Sequence, residues 1–331
     1  MYWFDNMTEF VKPKILISKC IEFENCRYNG QIIRSDFIKK LKPFVEFIPV
    51  CAEVEIGLGI PRSPIRIVEK NKELKLIQPE TKKDVTNDMI DFSNNFLKDL
   101  KVDGVILKSK SPSCGIKDVK IYPTEEKSAP LRRDKGFFGG AVLENFSKAA
   151  IEDEDRLRNR IIKEHFLKRI FVFSNFRKIK EKKSINELLK FHTNNKLLIM
   201  SYSQKELKEL GNIVAKGKKD IEIILNEYEK HLLLAFSKSP KCNSNINVLN
   251  HSFGYFSKNL KSEEKKLFLK SIEQFRDGHI GLSVPLNIMK SWIVRFEENY
   301  LIDQTFFKPY PEDLMDVENV NFCNVRDYWK N

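Results

Sequence analysis

The chain has 331 residues, 41% of them hydrophobic and 31% charged, with a formal net charge of +12. This length suits two hydrophobic cores better than one, and the composition fits a soluble globular protein. No apolar run approaches the roughly 18 residues of a membrane span, and Met1-Tyr2-Trp3-Phe4-Asp5 lacks the basic-then-apolar pattern of a signal peptide, which excludes membrane and secreted classes and sets a cytoplasmic expectation.

Short apolar, β-branched runs bounded by polar, Gly or Pro residues predict strands at Lys14–Ser18, Val45–Val50, Ile65–Val68, Leu74–Ile77, Gly104–Leu107 and Val119–Tyr122. Helices are expected between them at Ser35–Leu41 and at Asp84–Leu100, the second capped by Asp84. The alternation predicts an α/β N-terminal domain with a mainly parallel sheet over residues 1–150. Lys135-Gly136-Phe137-Phe138-Gly139-Gly140 reads as an aromatic-bearing loop that either closes over a substrate or turns the chain into a helix over Ala141–Ala150. The acidic run Glu152-Asp153-Glu154-Asp155, followed by Arg156, Arg158 and Arg160, marks the domain boundary and reads as the first turn of a helix.

From Arg156 onward the spacing is helical. Leu157, Ile161, His165, Phe166, Arg169, Phe173 and Phe176 share one amphipathic pattern, with further helices at Ile185–Lys196, Gln204–Val214, Lys219–Phe236, Ile246–Leu260, Ser262–Arg276 and Val284–Asn299. An all-α bundle is therefore expected over residues 156–320. The basic excess is concentrated there: residues 1–160 carry +4, residues 161–310 carry +11 and residues 311–331 carry −3. Lys- and Asn-rich composition alone can inflate such a charge; the functional reading is a footprint for a polyanion.

Six cysteines in no paired framework point to a reducing compartment and to metal or catalytic use. Three of them, Cys20, Cys51 and Cys114, lie in turn-rich segments at or just beyond the carboxyl ends of predicted strands, where α/β proteins place ligands. Separate buried structural thiols are the plain alternative. A core cysteine, however, does not need Ser111-Pro112-Ser113 before it and Gly115 after it, nor a carboxylate two residues downstream as Glu53 is from Cys51. One thiolate from each of three loops suits a cluster with an open metal corner. A Cys₃ zinc site with an open water stays possible on the residues alone, although the chain has no Cys-x-x-Cys unit. Glu53, expected on a strand end facing the same side as Cys51, is the candidate proton shuttle. Ser111 either orients Glu53 or a water, or caps its own turn. Arg27, Arg62 and Lys108 are candidate phosphate or base contacts. His192 and His251, each alone on a helix, are read as hydrogen-bonded structural residues.

The segments Cys51–Arg62 (CAEVEIGLGIPR) and Gly104–Gly115 (GVILKSKSPSCG), together with Ser18, Cys20, Arg27, Tyr28 and Gly30, resemble the TudS-type desulfidase (thiouracil desulfidase) family. This sequence departs from the family pattern at Ile21-Glu22-Phe23, Cys26, Asn29 and Ala52. No presumed ligand is lost, and Cys26, where the pattern has an apolar residue, adds a fourth nearby thiol. Phe191-His192-Thr193, Asn247–His251, Gly254-Tyr255-Phe256, Val284-Pro285-Leu286 and Pro309-Tyr310-Pro311 resemble a helical, YbgA-like accessory domain, and the fusion is similar to RudS-type desulfidases of transfer RNA. The resemblance implies a 4Fe–4S cluster on Cys20, Cys51 and Cys114, catalytic Glu53 and Ser111, and non-redox removal of sulfur from 4-thiouridine in transfer RNA, with no DNA partner. Two alternatives stay open: desulfidation of free thiouracil or 4-thiouridine monophosphate, and a non-enzymatic iron–sulfur or zinc RNA-binding module.

Overall fold

The structure, a computed structural model, describes residues 10–146, 149–215 and 220–315. Residues 1–5 and the acidic stretch beyond residue 315 lie outside the described residues. The first domain is built from β1 (Lys14–Ser18), α1 (Asp36–Leu41), β2 (Glu46–Val50), α2 (Ala52–Glu55), β3 (Arg66–Lys70), β4 (Glu73–Gln78), β5 (Lys83–Asp84), α3 (Thr86–Leu97), β6 (Gly104–Leu107), β7 (Val119–Tyr122), β8 (Arg132–Asp134), α4 (Phe137–Asn145) and β9 (Ala150–Asp153).

The strands divide between two sheets. The first is wholly parallel, in the order β2-β1-β6-β9. Its central strands are covered on both faces: Ile15, Leu16, Ile17, Val105, Ile106 and Leu107 are all 0% exposed, which explains their unbroken apolar sequence. Burying each such side chain contributes about 1.5–3 kcal/mol. The chain leaves β1 toward β2 on one side and later returns to β6 on the other. The gap between β1 and β6 is therefore the point where strand order reverses, the usual ligand position of an open parallel sheet.

The second sheet, β5-β4-β3-β7-β8, is mostly antiparallel, β3 with β7 being the parallel exception. The mainly parallel sheet expected from the sequence is thus the first of two, and the runs expected at Ile65–Val68, Leu74–Ile77 and Val119–Tyr122 fall in the second. β3 and β4 form a tight hairpin because Asn71 and Lys72 both take positive φ, 51° and 67°, the twist that two-residue hairpin turns require. Asp84 does not cap α3 as expected: it lies in β5, Val85 is the residue before the first turn, and the Asp84 carboxylate accepts from Thr86 N–H at 2.9 Å.

The acidic run is not the first turn of a helix. Residues 150–153 form β9, and the next two acids fasten the loop after β6. Ser109 N–H donates to Glu154 Oε2 at 2.6 Å and Ser109 Oγ donates to Asp155 at 2.7 Å. The helix expected over Ala141–Ala150 is displaced: α4 starts four residues earlier, with Phe137–Gly140 as its first turn, and ends at Asn145.

The remainder is helical: α5 (Arg160–Lys182), α6 (Ile185–Tyr202), α7 (Gln204–Ala215), α8 (Ile221–Ala235), α9 (Cys242–Phe253), α10 (Ser262–Arg276), α11 (Ser283–Arg295) and α12 (Asn299–Ile302). The boundary is shared rather than linked. The first half of α5 lays Phe166, Leu167, Ile170 and Phe171 on the parallel sheet, and its second half gives Val172, Phe173 and Phe176 to the helical core. Gly104 permits this approach, since a Cβ there would lie 2.7 Å from Ile170 Cγ2. Arg177 on α5 also pairs with Asp103 at 3.0 Å. Among the described residues, no helix is long and apolar enough to cross a membrane.

Candidate active site

The loops leaving β1, β2 and β6 bring Cys20, Cys51 and Cys114 to one edge of the parallel sheet. Lys19 N–H donates to Val50 O at 2.8 Å, pinning the first two loops together. Lys108 N–H donates to Ser18 Oγ at 2.9 Å, pinning the first to the third. The three cysteines are buried, 7–8% exposed, and Cys26 is deeper still at 1%. Its thiol lies within hydrogen-bonding reach of both Cys20 and Cys51, and the Cys51 thiol faces Cys26 O at 3.8 Å. The loop after β1 folds back on itself through Ile33 N–H donating to Cys20 O at 2.8 Å, which carries Cys26 under the other thiols.

Three of these thiols, Cys26, Cys51 and Cys114, are held protonated. Hydrogen bonding with Cys20, joined by burial, pushes Cys26 up to about 11. The contact with Cys26 and then burial push Cys51 well above the ordinary range. Burial pushes Cys114 up to about 12, opposed by a hydrogen bond from Ser18. Thiols in this state are poor nucleophiles near neutral pH, and a bound cationic centre is what would draw off their protons. Among the described residues, no group of three or more His, Cys, Asp and Glu side chains is arranged to hold a single metal ion.

Glu53 joins the thiols, by a route different from the one expected. It sits on the one-turn helix α2, for which Cys51 is the residue before the first turn, rather than on a strand end. Its carboxylate is fixed on both oxygens: Arg62 Nε donates to Oε2 at 2.8 Å and Ser113 Oγ donates to Oε1 at 2.6 Å. The Arg62 side chain is 3% exposed and that of Glu53 12%. Arg62 Nη1 donates to Gly59 O at 2.9 Å, and Nη2 approaches Cys51 Sγ at 3.9 Å. Burial works to lower the Arg62 guanidinium, but Glu53 outweighs it and holds it above its ordinary range.

The serine that touches Glu53 is Ser113, not Ser111. Ser111 Oγ accepts from Cys114 N–H at 3.2 Å and from Ser113 N–H at 3.3 Å, so it caps the turn, and it reaches Glu53 only through Ser113 Oγ at 2.9 Å. The Gly-rich segment holds this turn rather than closing over a substrate. Gly136 N–H donates to Gly115 O at 2.7 Å and Gly139 N–H to Ser113 O at 2.9 Å. A Cβ at Gly139 would meet Gly115 O at 2.4 Å and Cys114 O at 2.6 Å.

The three basic candidates separate. Arg62 is part of the carboxylate site. Lys108 turns inward onto Glu154, with its side chain 23% exposed, and is a structural charge. Arg27 lies in the loop after β1 with its guanidinium carbon 5.8 Å from the Tyr28 ring centroid. His192 Nδ1 pairs with Tyr228 OH at 3.1 Å, and His251 packs edge-on against Tyr255.

Residues 15–154 match the family described as 2-thiouracil desulfurase, and residues 196–311 match a family described as protein of unknown function (DUF1722). Protein YbbK of Bacillus subtilis is 34% identical over 109 residues, 30% of this chain and 72% of that protein. Protein YbgA of Escherichia coli is 28% identical over 146 residues, 43% of this chain and 86% of that protein. The solved [4Fe-4S]-dependent thiouracil desulfidase TudS is 25% identical with a TM-score of 0.35, over 44% of this chain and 94% of that one. Through residues 15–154 the chain belongs to the 2-thiouracil desulfurase family.

Proposed function

We propose that the chain is an iron–sulfur-dependent, non-redox desulfidase that converts 4-thiouridine in transfer RNA to uridine. The observation that carries this reading is a carboxylate clamped by Arg62 and Ser113 beside three thiols that share one sheet edge. The donor set fits a 4Fe–4S cluster on Cys20, Cys51 and Cys114: soft ligands on three separate loops, with the fourth thiol, Cys26, buried behind them. When bound, a cluster with three protein thiolates supplies an iron free of protein ligands, a thiophilic Lewis acid for the exocyclic sulfur.

The chain's own groups manage water and protons. Glu53 takes a proton from the attacking water and returns it to the departing sulfur. Arg62 and Ser113 hold its two oxygens in one orientation, and Ser111 fixes Ser113 through the turn. The reaction balances as a thiocarbonyl plus water giving a carbonyl plus hydrogen sulfide, with no net electron transfer. The helical domain, with +11 over residues 161–310, supplies attraction for the polyanion.

Rates on thiolated transfer RNA, 4-thiouridine monophosphate and free thiouracil, compared anaerobically with cluster-loaded protein, test the substrate. Transfer RNA is expected to be turned over most efficiently, with a rate that falls steeply as salt is added. Equal or faster turnover of the free compounds, insensitive to salt, would replace transfer RNA by the small substrate.

A further inference from the structure

Beside the Cys114 loop lies a cleft of about 560 Å³ lined by Arg66, Lys110, Pro112, Lys120, Tyr122 and Arg133, with Asp118 as its carboxylate. Its size is that of a small-ligand site. Arg66, Lys120, Tyr122 and Arg133 come from three adjacent strands, β3, β7 and β8, of the second sheet. Lys110 and Pro112 come from the turn that also presents Ser113 and Cys114.

Two features of this cleft are hard to explain as surface decoration. Lys120 and Arg133 are direct cross-strand partners in an antiparallel pair, and like charges placed opposite one another destabilise a sheet. Neighbouring Arg132 on the same strand is neutralised by Glu69 and Asp134, whereas among the described residues no such ion pair engages Lys110, Lys120 or Arg133. Secondly, Arg66 lies over the Tyr122 ring with its guanidinium carbon 4.0 Å from the centroid, and is fixed there by donating to Glu126 O at 2.6 Å. A cation held on an aromatic face is a platform for a base and its phosphate.

We infer that this cleft binds the phosphodiester backbone of single-stranded RNA next to the nucleotide whose base enters the thiol site. The α/β domain itself then distinguishes a polynucleotide from a free base. The inference rests on the desulfidase reading for the identity of the neighbouring nucleotide. Its geometry follows from the shared turn, because Pro112 and Cys114 are two residues apart, at most about 7 Å of chain. A strand seated in the cleft therefore runs past Lys110 and Pro112, on the same turn that presents Cys114.

The test is binding, not turnover, so its outcome is separable from that of the desulfidase reading. Cluster-loaded full-length protein and its Lys120→Gln/Arg133→Gln variant are titrated with an unmodified single-stranded RNA oligonucleotide, uridine monophosphate and inorganic phosphate at several salt concentrations. Losing two phosphate contacts should lower the salt slope of RNA binding by about 1.4 and weaken binding roughly tenfold at 0.15 M salt. The thermal midpoint without RNA should hold or rise, because the facing like charges are gone. Unchanged RNA affinity and slope would overturn the inference. So would equal losses for phosphate, uridine monophosphate and RNA, which would make this a monophosphate site. A fall in thermal midpoint accompanying the lost binding would report damage to the sheet and also overturn it.

Discussion

Replacing Glu53 by glutamine isolates the proposed proton shuttle with little structural disturbance. Glu53 Oε2 accepts from Arg62 at 2.8 Å and Oε1 from Ser113 at 2.6 Å. A glutamine oxygen still accepts from Arg62, and its amide nitrogen donates to Ser113 Oγ once that hydroxyl rotates to accept. Alanine would be a poorer probe, since it leaves the Arg62 guanidinium, 3% exposed, paired only with Gly59 O and the Cys51 sulfur. An abandoned buried charge costs about 3–5 kcal/mol, and this one adjoins a presumed cluster ligand. Glu53→Gln should therefore keep iron content and visible absorbance while lowering single-turnover sulfide release by about 10²–10⁴-fold, equivalent to about 3–5 kcal/mol on the barrier. Ser113→Ala removes one of the two clamps and should fall between the parent and Glu53→Gln. If Glu53→Gln released sulfide within an order of magnitude of the parent rate, with its cluster intact, the assigned role would be refuted.

Cys26→Ala should retain bound iron and turnover, because three thiols remain to hold a cluster; loss of iron from this variant in an anaerobic metal assay would mean that all four thiols are ligands. Gly139→Ala drives a methyl into Gly115 O and Cys114 O at 2.4 and 2.6 Å, so it should cost about 1–3 kcal/mol in chemical denaturation and destabilise the bound cluster. Burial holds His165 down at about 4, below its ordinary 6.5. The unfolded chain therefore binds more protons between those values, and stability should fall as pH drops from about 6.5 toward 4. His165→Gln should flatten that part of the thermal-midpoint profile, and an identical profile for parent and variant would count against the buried neutral imidazole.

The parts of this molecule that could be read from the chain were those whose physics is local. Lys14–Ser18 and Gly104–Leu107 announced buried parallel strands because both of their faces are covered, so no polar residue interrupts them. Cys20, Cys51 and Cys114 followed from their positions after such strands. The β3–β4 hairpin escaped because Asn71-Lys72 carries no glycine to signal the positive φ that both residues adopt. α2 escaped because four residues are too few to display a helical period, and Glu53 was therefore placed on a strand.

Long-range pairings were the least legible. Ser113 sits 60 residues from Glu53 and Arg62 nine residues from it, so neither contact leaves a periodic trace. Cys26 was visible as a nearby thiol, but only the fold-back of Cys20–Ile33 shows that it lies against both Cys20 and Cys51. The acidic run at 152–155 looked like a helix start by composition. Its actual work is to hold Ser109 and Lys108, contacts across 45 and 46 residues. The helix α5 was legible, but its division between two cores was not, since its apolar pattern is the same on the sheet as in the bundle.

The most direct test of hydrolytic desulfidation at this site is an anaerobic single-turnover reaction of cluster-loaded protein with 4-thiouridine-containing transfer RNA, in isotopically labelled water and without added reductant. One labelled uridine oxygen and one sulfide for each 4-thiouridine lost, with the Glu53→Gln protein nearly inert, is the expected result. An unchanged thionucleoside content with the cluster verified intact, or turnover that requires an external reductant, would contradict it.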